Sequence, residues 1–590
     1  MKDDEVCLRV ASFSKINIIL HILYMKAHKI HLFLLILSIV LYGNTMRNGW
    51  GLDDVFVLKD NDQVMRGISE IPEIFTTPYF SGPGANFGYR PLTKAMFAIE
   101  YSVFGINLPV HHLINVLLYF FCGLLAFRFL KRYFGEVKGM LFVWLAFLFW
   151  FIHPVHTEVV ASLKNREEML WMILGFLSLE QIEKYIEKPK AGYLLLALVL
   201  FVLSYLAKQS ALSLVLVLPV MLWYRNGTHL KNLLSGRQLS SLVALMVIIL
   251  SGWVLYKITY RMFAADQMDI FYFESPLRYQ QSLTVRMATA FTSLLFYLKI
   301  LAFPHPLLFY YGLYTIPEWT LWSFPVIFSA MIHLGFLFVI IYGIRKKTAT
   351  AFGLAFYILT VFMFSNIPEN VNGIVAERLI FVPSFGIAIV LAALVTGVFR
   401  IPSGAGIKEI PLTAKIVLLL LFLFYMGKTI VRNTSWYDSR TLFTNDIRYN
   451  YRSVQANTIL AGEMMDRVMK ELNKGAAPQR FKNTTDSVIA IYNRAWMLYR
   501  DNYRVLNNLG DMYLTFRGQP DTALAYLAGA FRLEPGNFYV NFNIARGFEM
   551  KGDHRVALFY YARANQLDPG KPQPLEKIKE LQGKSVGTVQ

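Results

Sequence analysis

Long apolar runs dominate the chain up to residue 430 and restrict it to folds that can reside in a bilayer. A membrane-spanning helix needs about 20 consecutive, mostly apolar residues. The composition agrees, since 55% of the 590 residues are hydrophobic and only 16% are charged. This excludes an ordinary cytosolic enzyme, a disordered regulator and a disulfide-stapled secreted module. We predict 11 spans, near residues 29–46, 110–130, 138–153, 168–183, 191–206, 209–224, 238–258, 321–343, 350–366, 379–399 and 414–430.

A twelfth apolar stretch, 286–303, carries Arg286 at its start and Lys299 near its end. Counting it as a span would move the basic segment 345–347 to the opposite side of the membrane. Because cytoplasmic loops are enriched in Lys and Arg, we predict that 286–303 is an interfacial or re-entrant helix.

Basic residues outnumber acidic ones by 58 to 39, which gives a formal net charge of +19. With the N-terminus in the cytoplasm, every predicted inside loop is basic, as the positive-inside rule requires. The predicted outer loop 47–109 holds seven acids against five bases. We therefore assign the positive charge to cytoplasmic loops rather than to nucleic-acid binding. The C-terminal part is predicted on the non-cytoplasmic side, in a periplasm or an endoplasmic-reticulum lumen.

The N-terminal segment, residues 1–28, is a predicted cytoplasmic extension. Met25 begins Met-Lys-Ala-His-Lys followed by an apolar run, which is typical of an uncleaved signal anchor. We hypothesise that Met25 is the native start. The two cysteines, Cys7 and Cys122, are predicted to be free thiols, because Cys122 lies inside an apolar run.

A 34-residue repeat appears after the apolar part of the chain ends. The unit from Phe538 and the unit from Tyr503 share small residues and aromatics at matching positions, and each second helix ends before a proline. This is the tetratricopeptide pattern, in which small residues let two helices approach closely. A weaker unit precedes them. We predict a transmembrane domain at 29–435, a linker at 436–452, repeats at 453–570 and a tail at 571–590.

Two adjacent carboxylates, Asp53 and Asp54, follow the first span directly. Charges at a membrane exit are costly to desolvate. They are either solvated loop acids and a helix N-cap, or a general base and acceptor-binding pair. Position alone leaves both interpretations open.

Arg90 and a His-rich loop are weaker signals on the same predicted side. Pro91 fixes the start of a helix and therefore places Arg90 at the positive end of that helix. Such a position can bind a phosphate. The spacing of His153, His156 and Glu158 invites a metal, but it does not put three ligands on one helical face. We therefore predict no metal site.

Lys208, Arg166 and the pair Glu377–Arg378 also fall on the predicted outer side. A basic residue at a span end commonly extends its charge to the interface, which is the alternative interpretation of each. The convergence of acids and bases on one side nevertheless favours a site that acts on a lipid-linked phosphosugar.

Several short motifs occur in a fixed order along the chain: Asp53-Asp54, Tyr89-Arg90-Pro91-Leu92, His153-Pro154-Val155-His156-Thr157-Glu158, Ala207-Lys208, Ala376-Glu377-Arg378-Leu379, Pro383-Ser384 and Trp436-x-Asp438 with Leu442-Phe443. With the appended repeats, this order resembles the transmembrane and tetratricopeptide-repeat O-mannosyltransferases of the GT-C glycosyltransferase superfamily. The resemblance covers about residues 29–570. Gln209 departs from the pattern, because the family usually has Glu after the lysine.

The resemblance implies an all-α fold: a polytopic GT-C-type bundle of about 11 transmembrane helices, followed by an α-solenoid of tetratricopeptide repeats. It implies an inverting transferase that moves a sugar, mannose, from a polyprenyl-phosphate carrier to Ser/Thr hydroxyls of exported proteins. It implies no cofactor besides that co-substrate, no obligatory metal, and an acceptor polypeptide bound in the repeat groove.

On this resemblance, each candidate residue receives a role as a hypothesis. Asp53 or Asp54 is the catalytic base. The donor phosphate is bound by Arg90, Lys208, Arg378 and Arg166. The supporting residues are Tyr89, His153, His156, Glu158 and Glu377.

Other functions stay open at the level of sequence. A membrane-anchored tetratricopeptide scaffold explains the repeats but leaves the outer charges unused. A polysaccharide ligase or polymerase also uses polyprenyl carriers and differs in its acceptor. A transporter is disfavoured, because its charges are expected near the membrane midplane.

Overall fold

The computed structural model describes residues 27–82, 85–226, 236–263, 271–280 and 282–587. The predictions for residues 1–26, which include Cys7 and the Met25 start, lie outside these ranges. The chain divides into a first unit, Met1–Phe309 with Glu318–Leu442, and a second unit, Tyr310–Pro317 with Phe443–Gln590.

Helices account for almost all regular structure of the first unit. The longer helices are α1 Ala27–Tyr42, α2 Pro91–Phe104, α3 Leu108–Lys138, α4 Met140–Phe151, α5 Glu167–Glu187, α6 Ala191–Ala207, α7 Ser213–Asn226, α8 Gly236–Phe263, α9 Leu283–Ala302, α10 Phe324–Lys346, α11 Ala349–Val361, α12 Pro383–Val398 and α13 Leu412–Ser435. Short helices occupy Asp54–Val57, Asp62–Met65, Ile71–Ile74, Pro154–His156, Thr157–Ala161, Lys164–Arg166 and Glu377–Ile380. Strands β1 Phe80–Gly82 and β2 Ala85–Phe87 form an antiparallel pair.

Six of the described helices are long and apolar enough to cross a membrane, or seven if the bent pair 140–151 and 154–161 is one span. Four further apolar helices have 10–17 residues. A multi-pass, helical membrane protein is therefore confirmed. The number of 11 spans stays a prediction.

The ends of the long helices gather into two groups. Contacts of Arg166 with Asn115, and of Lys208 with Glu168, join the start of α3, the start of α5 and the end of α6. We call this the Asp53 end. The C-terminal ends of α3, α5 and α7 meet at the opposite side. Arg132 of α3 and Arg225 of α7 form ion pairs with acids of α5 there, and we call this the Arg132 end.

Helix α9 meets the length and hydropathy criteria of a span, although we predicted an interfacial or re-entrant helix at 286–303. Both ends of α9 contact loops of the first unit. Arg286 binds Asn370 near its start, with 2.9 Å between the two side chains. The carbonyl oxygen of Leu301, near its end, lies 3.0 Å from Nε2 of His153. Helix α9 thus bonds to two loops of the first unit, and its interfacial or re-entrant placement stays a prediction.

Aromatic side chains fill the centre of the first unit. Phe129 stacks on Tyr133 within α3 and contacts Phe352 of α11 and Phe385 of α12. Helices α11 and α12 approach so closely that a Cβ at Gly386 would lie 2.4 Å from the carbonyl oxygen of Gly353. Small residues commonly permit such close packing between membrane helices. The aromatic core holds the helices whose ends carry the charged groups.

The second unit consists of helices that pack against their neighbours in sequence. They are α14 Val454–Asn473, α15 Lys482–Leu498, α16 Tyr503–Met512, α17 Pro520–Leu533, α18 Phe538–Met550, α19 His554–Leu567 and α20 Gln573–Gly587, preceded by Ser439–Asn450 at the boundary. The predicted small positions Ala523, Ala530, Ala545, Ala557 and Ala564 are fully buried. Helix pairs and buried small residues are what the repeat requires, while the tetratricopeptide assignment stays a prediction.

Candidate functional site

Asp54 is a buried anchor for the loop that follows α1. Its Oδ1 accepts hydrogen bonds from the Ser162 hydroxyl at 2.9 Å and from the backbone N–H of Lys164 at 3.0 Å. Its Oδ2 accepts from the N–H of Gly51 at 3.3 Å. The side chain is 1% exposed, and burial raises its pKa to about 7 despite these three donors. Asp54 therefore ties its loop to the segment before α5.

Asp53 differs from its neighbour because its side chain remains 33% exposed. Its Oδ2 lies 4.0 Å from Nζ of Lys164. Leu52, just before it, has a φ of +48°, which is uncommon for a residue with a branched side chain. The N–H of Leu52 donates to Oγ of Ser439 at 3.0 Å, which holds this turn in place. Strained turns of this kind cluster at functional sites.

Lys164 is a buried cation beside Asp53. Burial lowers its pKa to about 8, the nearby carboxylate of Glu167 opposes this shift, and the positive charges of Arg378 and Arg90 add to it. A lysine in such surroundings is sensitive to any new anion, because a phosphate nearby would favour its charged form.

Glu167 is the centre on which several cations converge. Its Oε1 lies 2.7 Å from Nη1 of Arg90 and 3.7 Å from Nζ of Lys208. It also interacts electrostatically with Lys164 and Arg378. Arg90 occupies the N-cap of α2, with Pro91 as the first helical residue, as predicted. Its side chain is 20% exposed, so part of the guanidinium faces solvent.

Arg378 reaches the same cluster from the start of the short helix 377–380. Its Nη1 lies 2.5 Å from Oε1 of Glu158, and its backbone N–H donates to Oε2 at 2.9 Å. Glu158 is 1% exposed, while the arginine side chain is 23% exposed. Lys208 is held in a similar way by Glu168, which also accepts a hydrogen bond from Trp171.

The structure thus brings together residues from distant segments of the chain. We call this set the charge cluster; it consists of Asp53, Arg90, Glu158, Lys164, Glu167, Glu168, Lys208 and Arg378. Four acids face four cations, so the cluster is neutral as a whole. The exposed groups are mainly Asp53, Arg378 and Arg90.

Arg166 does not fit the donor-phosphate role that we predicted for it. Its side chain has no exposed surface. Nε donates to Asn115 at 3.0 Å, Nη2 donates to the carbonyl oxygen of His111 at 3.1 Å, and Nη1 pairs with Glu100. The guanidinium also lies over the ring of Phe97. A fully enclosed arginine offers no face to a ligand, so the structure favours a structural role.

The predicted supporting residues are buried and bonded to the protein. Tyr89 donates to the carbonyl oxygen of Phe75 at 2.7 Å. The ring nitrogens of His156 lie 2.9 Å from the Tyr119 hydroxyl and 3.0 Å from Oγ of Ser384.

His153 and Glu377 likewise bind backbone atoms. The His153 ring accepts a hydrogen bond from the N–H of Val155 at 3.2 Å, besides its contact with α9. Glu377 accepts from the N–H of Leu308 at 2.6 Å. Among the residues that the structure describes, no group of three or more His, Cys, Asp or Glu side chains could hold a metal ion.

The motif around Trp436 is hydrogen-bonded to the loop that carries Asp53. The N–H of Gly49 donates to the carbonyl oxygen of Tyr437 at 2.6 Å, and the N–H of Ser439 donates to that of Trp50 at 3.1 Å. Trp436 itself is buried. The motif thus helps to hold the loop that carries Asp53.

Sequence reasoning missed Lys164, Glu167 and Glu168 as site members, although the run Lys-Asn-Arg-Glu-Glu holds them. The signal was the density of charge in five residues before a buried helix. The structure favours Lys164 over Arg166 as the cluster member from this run, because the short helix 164–166 buries the Arg166 side chain.

Curated relatives are similar to most of the chain. Protein O-mannosyl-transferase TMTC3 of Mus musculus is 24% identical over 70% of this chain and 47% of its own length. Protein O-mannosyl-transferase F38B6.6 of Caenorhabditis elegans is 22% identical over 70% of this chain and 57% of its own. Protein O-mannosyl-transferase TMTC2 of Mus musculus is 30% identical over 149 residues, 24% of this chain.

These relatives confirm the resemblance to the transmembrane and tetratricopeptide-repeat family that the motifs indicate. The chain spans about half the length of the curated relatives it matches first. No family model matches it.

Proposed function

We propose that the protein is an integral-membrane glycosyltransferase that moves mannose from a polyprenyl-phosphate carrier to Ser/Thr hydroxyls of exported proteins, on the non-cytoplasmic face. The single observation that carries the proposal is the charge cluster, in which a partly exposed carboxylate lies among four cations at the ends of apolar helices. The names of the relatives support the same reaction class.

The donor phosphate would bind where Arg378 and Arg90 are exposed. An arginine can bind phosphate through two parallel N–H donors. Lys208 and Lys164 lie behind them and add positive charge from within the protein. Each cation is also near a buried acid, so it is held in position before the ligand arrives. Preorganised charges of this kind stabilise a leaving group without rearrangement during the reaction.

Asp53 is the proposed base. The oxygen of the acceptor hydroxyl attacks the anomeric carbon, the bond from that carbon to the phosphate oxygen breaks, and the lipid phosphate leaves with the electron pair. Asp53 takes the hydroxyl proton late in this step, as formation of the C–O bond acidifies it. A single displacement inverts the anomeric configuration. No cofactor besides the lipid-linked sugar is required.

Asp54 is assigned a positioning role instead. Its two oxygens already accept three hydrogen bonds from the protein, and its side chain is almost fully enclosed. A base must come within hydrogen-bond reach of the proton it takes. Exposure therefore favours Asp53, and the role of Asp54 is to hold the loop that presents it.

The second unit would recruit an extended polypeptide acceptor. A variant lacking residues 453–590 is expected to lose transfer to folded or long protein acceptors while retaining transfer to short peptides. An equal loss on both acceptors would assign the second unit a structural part only.

The proposal is tested by mass spectrometry of exported proteins from a strain that lacks the gene. We expect a hydroxyl-linked mannose to disappear from these proteins and to return on complementation with the wild type, but not with Asp53→Asn. Loss of a polysaccharide instead would support a polysaccharide ligase. An unchanged glycan profile, with a phenotype rescued by Asp53→Asn, would support a scaffold.

A further inference from the structure

A cavity of about 970 Å³ opens at the Arg132 end, the opposite end of the first unit from the charge cluster. The ends of α3, α5 and α7 line it, together with Met140 and Lys347. Its volume falls within the range of small-molecule sites, about 300–1,000 Å³. The proposed transfer reaction does not use this cavity.

The floor of the cavity is apolar. Phe129, Phe176, Leu179, Met221 and Tyr224 contribute to its lining, and all five side chains are largely removed from solvent. A floor of this kind packs well against hydrocarbon chains, but it offers few polar contacts to a small hydrophilic ion.

Most charges at the rim cancel in pairs. Arg128 contacts both carboxylate oxygens of Glu180 at 2.8 Å. Nε of Arg132 lies 2.6 Å from Glu183. Glu187 pairs with Arg132 and Arg225, so these three arginines are balanced by three glutamates.

Three other charged residues line the cavity: Lys131, Glu136 and Lys347. Within the ranges that the structure describes, none of them has an ion-pair partner within 4.0 Å. Because two of these residues are cations and one is an acid, the lining carries an excess of one positive charge. Next to Lys347, the N–H of Thr348 donates to the carbonyl oxygen of Gly343 at 3.1 Å, and Lys347 itself has a φ of +50°.

We propose that this cavity binds an anionic phospholipid, with its phosphodiester on Lys131 and Lys347 and its acyl chains on the aromatic floor. Lys131, Arg132 and Arg225 belong to segments that the positive-inside rule predicts in the cytoplasm. Basic pockets between membrane helices on that side are suited to anionic headgroups. The two lysines supply charge without a competing partner, and the apolar floor distinguishes a lipid from a soluble phosphate. The inference is independent of the proposed transferase activity.

Native mass spectrometry of the purified full chain tests this proposal, with phosphatidylglycerol, phosphatidylcholine or soluble glycerol phosphate added in turn. We expect phosphatidylglycerol to bind at least about tenfold more tightly than phosphatidylcholine, and glycerol phosphate not to bind measurably. The double variant Lys131→Gln/Lys347→Gln should lose this preference, whereas Lys131→Arg/Lys347→Arg should keep it.

The matched control is Lys408→Gln/Lys415→Gln, which removes two positive charges from the predicted cytoplasmic segment 400–415, outside the cavity lining. It should bind phosphatidylglycerol like the wild type. Equal binding of both lipids by the wild type, binding of glycerol phosphate, or equal losses in the two glutamine variants would each overturn the proposal.

Discussion

The two ends of the first unit both concentrate charge, but they arrange it differently. At the Arg132 end, arginines and glutamates pair with one another around an apolar cavity. At the Asp53 end, cations from four segments of the chain converge on Glu167, while Asp53 remains exposed beside them. Paired charges mainly join helix ends, whereas convergent and partly exposed charges are suited to bind and change a charged substrate.

The largest expected effect comes from removing the exposed carboxylate. We expect Asp53→Asn to lower the turnover number by about 10²–10⁴-fold, the usual contribution of a general base. Because this side chain is one-third exposed, the thermal unfolding midpoint should not change. Steady-state transfer assays and thermal unfolding in detergent measure the two quantities. Near-wild-type turnover would remove the base role.

A large effect on stability is expected from Arg166→Met. Breaking a buried ion pair by removing one partner costs about 3–5 kcal/mol, and Glu100 would be left without its arginine. The unfolding midpoint should fall markedly, while the folded fraction should keep its affinity for the lipid donor. An unchanged midpoint with lost donor affinity would restore the phosphate role that the sequence suggested.

Replacing a phosphate-binding candidate should have an intermediate effect. Arg378→Gln is expected to lower kcat/KM for the donor by about 10–100-fold, because a hydrogen bond to a charged group contributes about 1.5–3 kcal/mol. The matched control is Arg128→Gln, which removes an arginine from an ion pair at the Arg132 end. Equal losses in both variants would erase the functional difference between the two ends.

Donor binding at the Asp53 end should also depend on pH. The pKa of Lys164 is lowered to about 8, so this lysine loses its charge as the pH rises through 8. Affinity for the anionic donor should fall over that range, by up to tenfold per pH unit. Lys164→Arg keeps its charge and should abolish this fall. An identical pH profile in the two proteins would exclude a role of Lys164 in donor binding.

The smallest effect is expected on stability near neutral pH. The pKa of Asp54 is raised to about 7, so the folded state holds a proton more tightly than the unfolded chain does. Its contribution to stability is complete below pH 4 and is lost as the pH rises through 7. The unfolding midpoint of the wild type should therefore decline between pH 5 and 8 more than that of Asp54→Asn. A larger decline in the variant would contradict this sign.

The sequence predicted the helices better than the contacts between them. The apolar run 110–130 lies within α3, and Pro91 begins α2 as expected. The burial of Asp54 could not be predicted, because its partners Ser162 and Lys164 are more than 100 positions away in the chain. For the same reason, the sequence could not distinguish Lys164, which joins the cluster, from Arg166, which is enclosed two residues later.

The most direct measurement is the reaction itself, carried out with purified full chain, a polyprenyl-phosphate mannose of defined anomeric configuration and a Ser/Thr-containing peptide. We predict mannosylated peptide and free polyprenyl phosphate in equal amounts, with inverted configuration at the anomeric carbon, and at least about 100-fold less of both products with Asp53→Asn. Active wild type that gives retained configuration, or equal product with Asp53→Asn, would contradict the assignment of Asp53 as the base of a single displacement.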